Sequence, residues 1–274
     1  MDWNKTNTIL ITAFIILNIF LLTSSKNITA VQYNPMNDEE FTTNVVSLLK
    51  EKNITIDTDI PAEEYILPIL DTEYQIIEIN SQFLEQFLHE RIEAIEDVYT
   101  YSNSRGERLE IIDGKKLRLT IREKLPGKIN KDIQGEINSF IKEKNIDISG
   151  YSLNYSYATD NNIIYGYTRN HSDFSLDNSY MYFFVDSEGI YKFEMQRIIS
   201  VVEIPEKVRL IGAIEALLRI LTYPEIENKE IINIEMTYYS VEDENWKKIE
   251  RINSDPTWKV IFSDGTQKHL PGID

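Results

Sequence analysis

The sequence predicts an α+β fold, and three observations carry that prediction. Apolar and polar residues alternate over short runs separated by hairpin turns. A few segments instead repeat apolar residues at helical spacing. These helical segments are too few to alternate with the strands as a parallel α/β sheet requires. The expected architecture is a single N-terminal transmembrane helix followed by two similarly built halves of antiparallel sheet, with helices packed on one face.

The opening MDWNKTNTILITAFIILNIFLLTSSK carries no charge over residues 6–25. As a helix, that stretch spans roughly 30 Å, the thickness of a bilayer's hydrocarbon core. Trp3 sits where an interfacial aromatic anchors the inner end. The rival is a cleaved signal peptide. However, Asp2 offsets Lys5, and Ile28-Thr29-Ala30 lacks the small residue a signal peptidase needs at its first position. The sequence therefore predicts an uncut anchor in the cell membrane. Residues 1–7 form a cytoplasmic stub, 8–25 the span and 26–36 a linker, and the bulk of the chain is extracytoplasmic. Within the span, Phe14, Leu17, Asn18 and Leu21 fall at i, i+3, i+4 and i+7, a candidate contact face for another transmembrane helix. The alternative is a single asparagine tolerated near the outer leaflet.

Two subdomains are expected beyond the linker, at 37–128 and 129–274. The first opens with a helix near Asn37-Asp38 that carries Phe41, Val45, Leu48 and Leu49 on one face and ends in Lys50-Glu51-Lys52-Asn53-Ile54. In the second, Ile133, Ile137, Phe140 and Ile141 repeat that spacing before Lys142-Glu143-Lys144-Asn145-Ile146, each pair offset by 92 residues. Lysines suit a helix C-terminus, and asparagine accepts the left-handed conformation that ends it.

In the first half, residues 64–79 read as extended, 80–89 as helix, and 94–101, 107–112 and 116–122 as strands. Asp113-Gly114 supplies a hairpin turn. In the second half, 151–159 and 163–170 flank one turn, while 180–186 and 190–200 flank Ser187-Glu188-Gly189. Pro205 is expected to open a helix through Leu221, which Pro224 stops. Strands at 231–241 and 258–262 follow, and Asp264-Gly265 turns the last strand back.

Composition narrows the function. The chain has 28 basic and 45 acidic side chains and a formal net charge of −17, which argues against nucleic acid or an anionic membrane surface as partner. Without cysteine there is no disulfide, thiolate catalysis or thiolate-bound zinc. His89, His171 and His269 lack metal-binding spacing, and no HExxH, GxSxG or Walker sequence occurs. Glu63-Glu64, Glu242-Asp243-Glu244, and His89-Glu90 with Glu93 and Glu96 read as solvated surface. No catalytic, metal-binding or cofactor-binding residue is assigned, and no cofactor is expected. The tyrosines stand out. Tyr151, Leu153, Tyr155 and Tyr157 are expected on one strand face, with Tyr165 and Tyr167 after the turn, either as an aromatic ladder or as a protein-binding face.

The opening MDWNKTNTILITAFIILNIFLL and the pattern W-x-V-x-F-x-D-G at residues 258–265 resemble the YycI (WalI) family. That resemblance implies one anchor, a two-part extracytoplasmic α+β region and a regulator without enzymatic activity. It also implies partners: the sensor histidine kinase WalK (YycG), which controls cell-wall metabolism in low-GC Gram-positive bacteria, and the sister protein YycH. Under that reading the Asn18 face packs against the kinase's transmembrane helices. Two other readings stand beside it: a membrane-tethered binding or assembly module, and an extracytoplasmic enzyme acting on cell-wall polymer.

Overall fold

Strands form where the sequence alternates, and helices where apolar residues recur every third or fourth position. The computed structural model describes residues 39–127, 129, 133–159, 162–242 and 246–273. The expected span, its Phe14, Leu17, Asn18 and Leu21 face, and the linker lie outside the described residues. Among the described residues, no helix is long and apolar enough to cross a membrane.

In chain order the elements are α1 (Glu39–Glu51), β1 (Thr55–Ile56), β2 (Ile66–Tyr74), α2 (Ser81–Leu88), β3 (Thr100–Ser102), β4 (Arg108–Ile112) and β5 (Lys116–Thr120). Then come α3 (Ile133–Glu143), β6 (Tyr151–Thr159), β7 (Asn162–His171), β8 (Phe174–Asp186), β9 (Gly189–Gln196) and β10 (Ile198–Arg209). The chain closes with α4 (Ala213–Leu218), β11 (Glu230–Tyr239), β12 (Arg251–Phe262) and β13 (Gln267–Pro271). Among the described residues, the strands form one 13-stranded sheet whose main path runs β10-β2-β12-β11-β8-β9-β5-β4-β3. Most pairs are antiparallel, but β1 and β8 each pair with β11 in parallel, so the sheet is mixed and not purely antiparallel.

The echo at 92 residues survives as local structure. Asn53 and Asn145 both take positive φ, 55° and 48°. In α1, the Ile54 N–H donates to Leu49 and the Asn53 N–H to Lys50; in α3, Ile146 donates to Ile141 and Asn145 to Lys142. These are paired Schellman motifs, each satisfying carbonyls that the helix end would otherwise leave bare. The two ends differ in one side chain. Lys52 is exposed and pairs with Glu227, whereas Lys144 is buried and donates to the Phe87 carbonyl at the end of α2.

Two expectations fail. Residues 198–209 are strand, not the start of a helix, and the helix is confined to Ala213–Leu218 with a 3-10 turn at Arg219–Thr222. The β-branched run Ile198-Ile199-Ser200-Val201-Val202 favours a strand. Pro205 is accommodated in a bulge of this edge strand between Glu203 and Lys207, where its missing N–H breaks no ladder bond. The strand expected over 94–101 begins only at Thr100, because Asp97 turns the chain with a φ of 59°.

Two apolar cores lie along the sheet. The first joins α1 and α4 to β2, β11, β12, β13 and Leu176 of β8. The second joins α2 and α3 to β4, β5, β7, β9 and to Met181, Phe183 and Val185 of β8. Segments from both 37–128 and 129–274 enter each core, so the clusters group the chain by space and not by order.

Gly166 on β7 marks the tightest packing between strands: a Cβ there would lie 2.5 Å from Tyr182 Cε1 and 3.0 Å from Tyr155 Cβ. Gly166→Ala should lower stability by about 1–3 kcal/mol through overpacking, read as an earlier midpoint in chemical denaturation. An unchanged midpoint would mean that the Tyr182 ring can swing clear.

Candidate functional site

Strand β8 serves both cores because it changes neighbours part-way along. Leu176 pairs with Arg169 of β7 and with Tyr238 of β11, while Tyr180 pairs with Thr168 of β7 and with Gln196 of β9. Adjacent residues on β7 thus face positions four apart on β8, leaving Asp177, Asn178 and Ser179 without ladder partners on β7. All three are buried. Buried polar groups without partners are costly, so their bonds must be found elsewhere.

Each of the three finds them in a different part of the chain. Ser179 Oγ accepts from the Ile198 N–H at 3.0 Å and lies 2.8 Å from the Tyr151 hydroxyl. Asn178 brackets Ser240, accepting from its N–H at 2.7 Å and donating to its carbonyl at 3.0 Å. The Asn178 carbonyl also accepts from Gln196 Nε2 at 2.9 Å. Asp177 accepts from His269 Nε2 at 2.7 Å and from Ser175 Oγ at 2.9 Å, with Lys259 Nζ 3.2 Å away. Lys259 also meets Glu235 at 3.2 Å, and the His269 ring stacks on Tyr239 with centroids 3.8 Å apart and planes within 5°.

The charges here are fixed by their neighbours. Burial alone would push the Asp177 carboxyl up, but the His269 hydrogen bond and the Lys259 charge hold it well below the usual carboxylate range. Burial would likewise pull Lys259 down, yet Asp177 and Glu235 keep its ammonium above the ordinary lysine value. An ionised, fully bonded carboxylate is a poor general acid, and a lysine held cationic is a poor base. Among the described residues, no group of His, Asp and Glu side chains is arranged to hold a metal ion. The geometry fits a polar junction that fixes the register of β8, β11, β12 and β13.

The tyrosines do not share one face. Asn154 is an extra residue between Leu153, which pairs with Tyr167, and Tyr155, which pairs with Gly166. The bulge reverses the alternation beyond it. Tyr151, Tyr165 and Tyr167 therefore pack on the second core, and the Tyr167 hydroxyl meets Gln134. Tyr155 and Tyr157 turn to the other side, where the Tyr155 hydroxyl donates to the Gly265 carbonyl at 2.9 Å and the Tyr157 ring covers Gly265. Asn154 faces a cleft of about 430 Å³ lined also by Tyr65, Asn170, Phe174, Glu235 and Trp258.

Glu242, expected on the solvated surface, is instead half-buried. It takes an ion pair from Lys116 at 2.5 Å and a hydrogen bond from Gln196 at 2.8 Å. His89 does lie at an exposed helix end, 2.7 Å from Glu143. The junction had a signal in the sequence: Asp177-Asn178-Ser179 interrupts two apolar strand runs, and Lys259 stands inside Trp258-Lys259-Val260-Ile261-Phe262. Nothing local, however, pairs one with the other.

A family model described as YycI protein matches residues 34–270. No curated protein matches the chain. Among solved structures, the chain is similar to an uncharacterized protein from Eubacterium rectale ATCC 33656, with 10% identity, 86% of this chain and 95% of that one covered, and a TM-score of 0.45. It is similar to YycH from Bacillus subtilis, with 11% identity over 77% of this chain and 55% of that one, and a TM-score of 0.48. For the C-terminal domain of YpeB from Bacillus megaterium the identity is 10%, the coverage 69% of this chain and 95% of that one, and the TM-score 0.35.

Because the folded state holds Asp177 ionised below its ordinary range, its stabilisation is present above about pH 4 and is lost as pH falls through the native value. Asp177→Ala should cost about 3–5 kcal/mol by leaving Lys259 without its buried partner. Near-UV circular dichroism during acid titration checks both, and an unchanged acid transition in the variant would remove Asp177 from the linkage.

Proposed function

Since the chain belongs to the YycI family, we propose that it is a non-enzymatic, membrane-anchored accessory regulator of a WalK/WalR-type two-component system. The family match over residues 34–270 is the observation that carries this reading. In this reading, residues 1–7 lie in the cytoplasm, residues 8–25 span the cell membrane, residues 26–36 tether the domain, and the rest is extracytoplasmic. The partners are a WalK-like sensor histidine kinase and a YycH-like sister protein, and the output is control of cell-wall metabolism.

The uncharged stretch at residues 6–25 supports the anchor, and the spacing of Phe14, Leu17, Asn18 and Leu21 supports a helix–helix contact. A helix beside the kinase's transmembrane bundle shifts a two-state equilibrium only if it binds one state better. One interhelical hydrogen bond from the Asn18 amide contributes about 1 kcal/mol, a bias of about fivefold. That is enough to tune a kinase without switching it fully.

The test is membrane co-purification with the histidine kinase, together with a reporter for its target genes. Asn18→Leu and a chain with an unrelated span should both weaken association and change reporter output. Unchanged association and output in both variants would reduce the helix to a tether and assign recognition to the extracytoplasmic domain.

A further inference from the structure

The two cores meet a second time, away from the β8 junction, through a contact built from charges, one indole and one backbone hydrogen bond, from the Ile77 N–H to the Gly114 carbonyl at 2.8 Å. Asp113-Gly114 closes the β4–β5 hairpin of the second core with φ of 53° and 70°, a type I′ turn. This hairpin reaches the connection between β11 and β12. Trp246 is buried there in a small cluster with Tyr74 and Ile198, outside both cores, its ring 5.1 Å from Tyr74 at 81°.

The hairpin grips that connection at three residues. Asp113 accepts from the Trp246 indole N–H at 3.0 Å and pairs with Lys247 at 3.1 Å. Lys115 is buried; it donates to the Trp246 and Lys247 carbonyls and sits 4.2 Å from the Trp246 ring centroid. Lys116 pairs with Glu242, which also accepts from Gln196 and Asn178. All of these contacts from the hairpin are charge-assisted hydrogen bonds, ion pairs or cation–π contacts. Their direct acceptors for Lys115 are carbonyls and ring faces, and burial pulls its ammonium below the ordinary lysine value.

The energetic contrast with the cores follows. The cores bury contiguous aliphatic and aromatic side chains and open only with the whole fold. A small cluster of Tyr74, Ile198 and Trp246, with Val201 and Ile252 packed against it and a polar clasp holding it, opens at lower cost, and salt weakens the clasp through its most exposed pair, Lys247–Asp113. We propose that Trp246 is a releasable latch between the two cores. Seated, it locks the β4–β5 hairpin to the β2–β10 side of the sheet; released, it leaves the turn held there by one backbone bond, from the Ile77 N–H to the Gly114 carbonyl, beside the β5–β9 pairing. An event that pulls on one core is thereby felt by the other. The inference rests on this geometry alone and stands whether or not the chain regulates a kinase.

Hydrogen exchange read by mass spectrometry on the full chain tests it. Trp246→Ala should raise exchange by about tenfold or more in peptides from β4–β5 and from β2 and β10 together, while α1, α3 and α4 keep their protection. High salt should raise exchange in the same peptides of the unaltered protein. If Trp246→Ala changes only its own peptide and leaves β4–β5 protected, Trp246 is a local filler and the proposal fails. Should that variant lose protection everywhere, Lys115→Met decides, because it keeps the bulk and removes the charge. Linked loss in β4–β5 and β2 then supports the latch, and unchanged protection in either overturns it.

Discussion

A strand that changes partners part-way must place the residues left over, and this fold depends on how β8 does so. Asp177, Asn178 and Ser179 have no ladder partner on β7, yet all are buried, so each is bonded by a side chain or backbone from another strand. Only with these bonds made can one continuous strand put Leu176 in the first core and Met181, Phe183 and Val185 in the second. Apolar burial stabilises both cores and already opposes a one-residue slip, which would turn core side chains out to solvent. The polar junction adds to that constraint, because a slip would also strand a carboxylate or an ammonium in the interior.

The chain is strongly acidic, but its interior is organised around lysines. Lys115, Lys144 and Lys259 are each almost fully buried. Lys144 ties the end of α3 to the end of α2, Lys259 ties β12 to β8 and β11, and Lys115 holds the Trp246 connection. Many of the acids stay outside, where water and surface ion pairs accommodate them, as with Arg251 between Asp71 and Glu73. The excess negative charge is thus a property of the surface and says little about how the inside is held.

What could be read from sequence was local. Both Schellman ends were legible because Lys-Asn-Ile after an apolar face specifies the cap within six residues, and Asp113-Gly114 and Asp264-Gly265 announced their turns. The helix expected from Pro205 failed because pairing with β2 outweighs a proline signal that an edge strand also tolerates. The tyrosine ladder was mis-set by a single residue, Asn154, since one bulge exchanges the two faces of everything beyond it. Asp177 meets Lys259 and His269 across 82 and 92 residues, and no spacing rule reaches that far.

The spatial grouping of segments also has a consequence for biosynthesis. Nearly all of the second core lies between Leu84 and Met195, whereas the first needs Val45 and Leu49 near the start and Leu270 near the end. A ribosome therefore completes the middle of the molecule first. The apolar face of α1 waits for its strands until translation is nearly over, on the order of tens of seconds at ordinary elongation rates. During that interval Val45 and Leu49 form a solvent-facing stripe on a nascent chain. It is the natural point for a chaperone to hold, and the place where a stalled or truncated product would begin to aggregate.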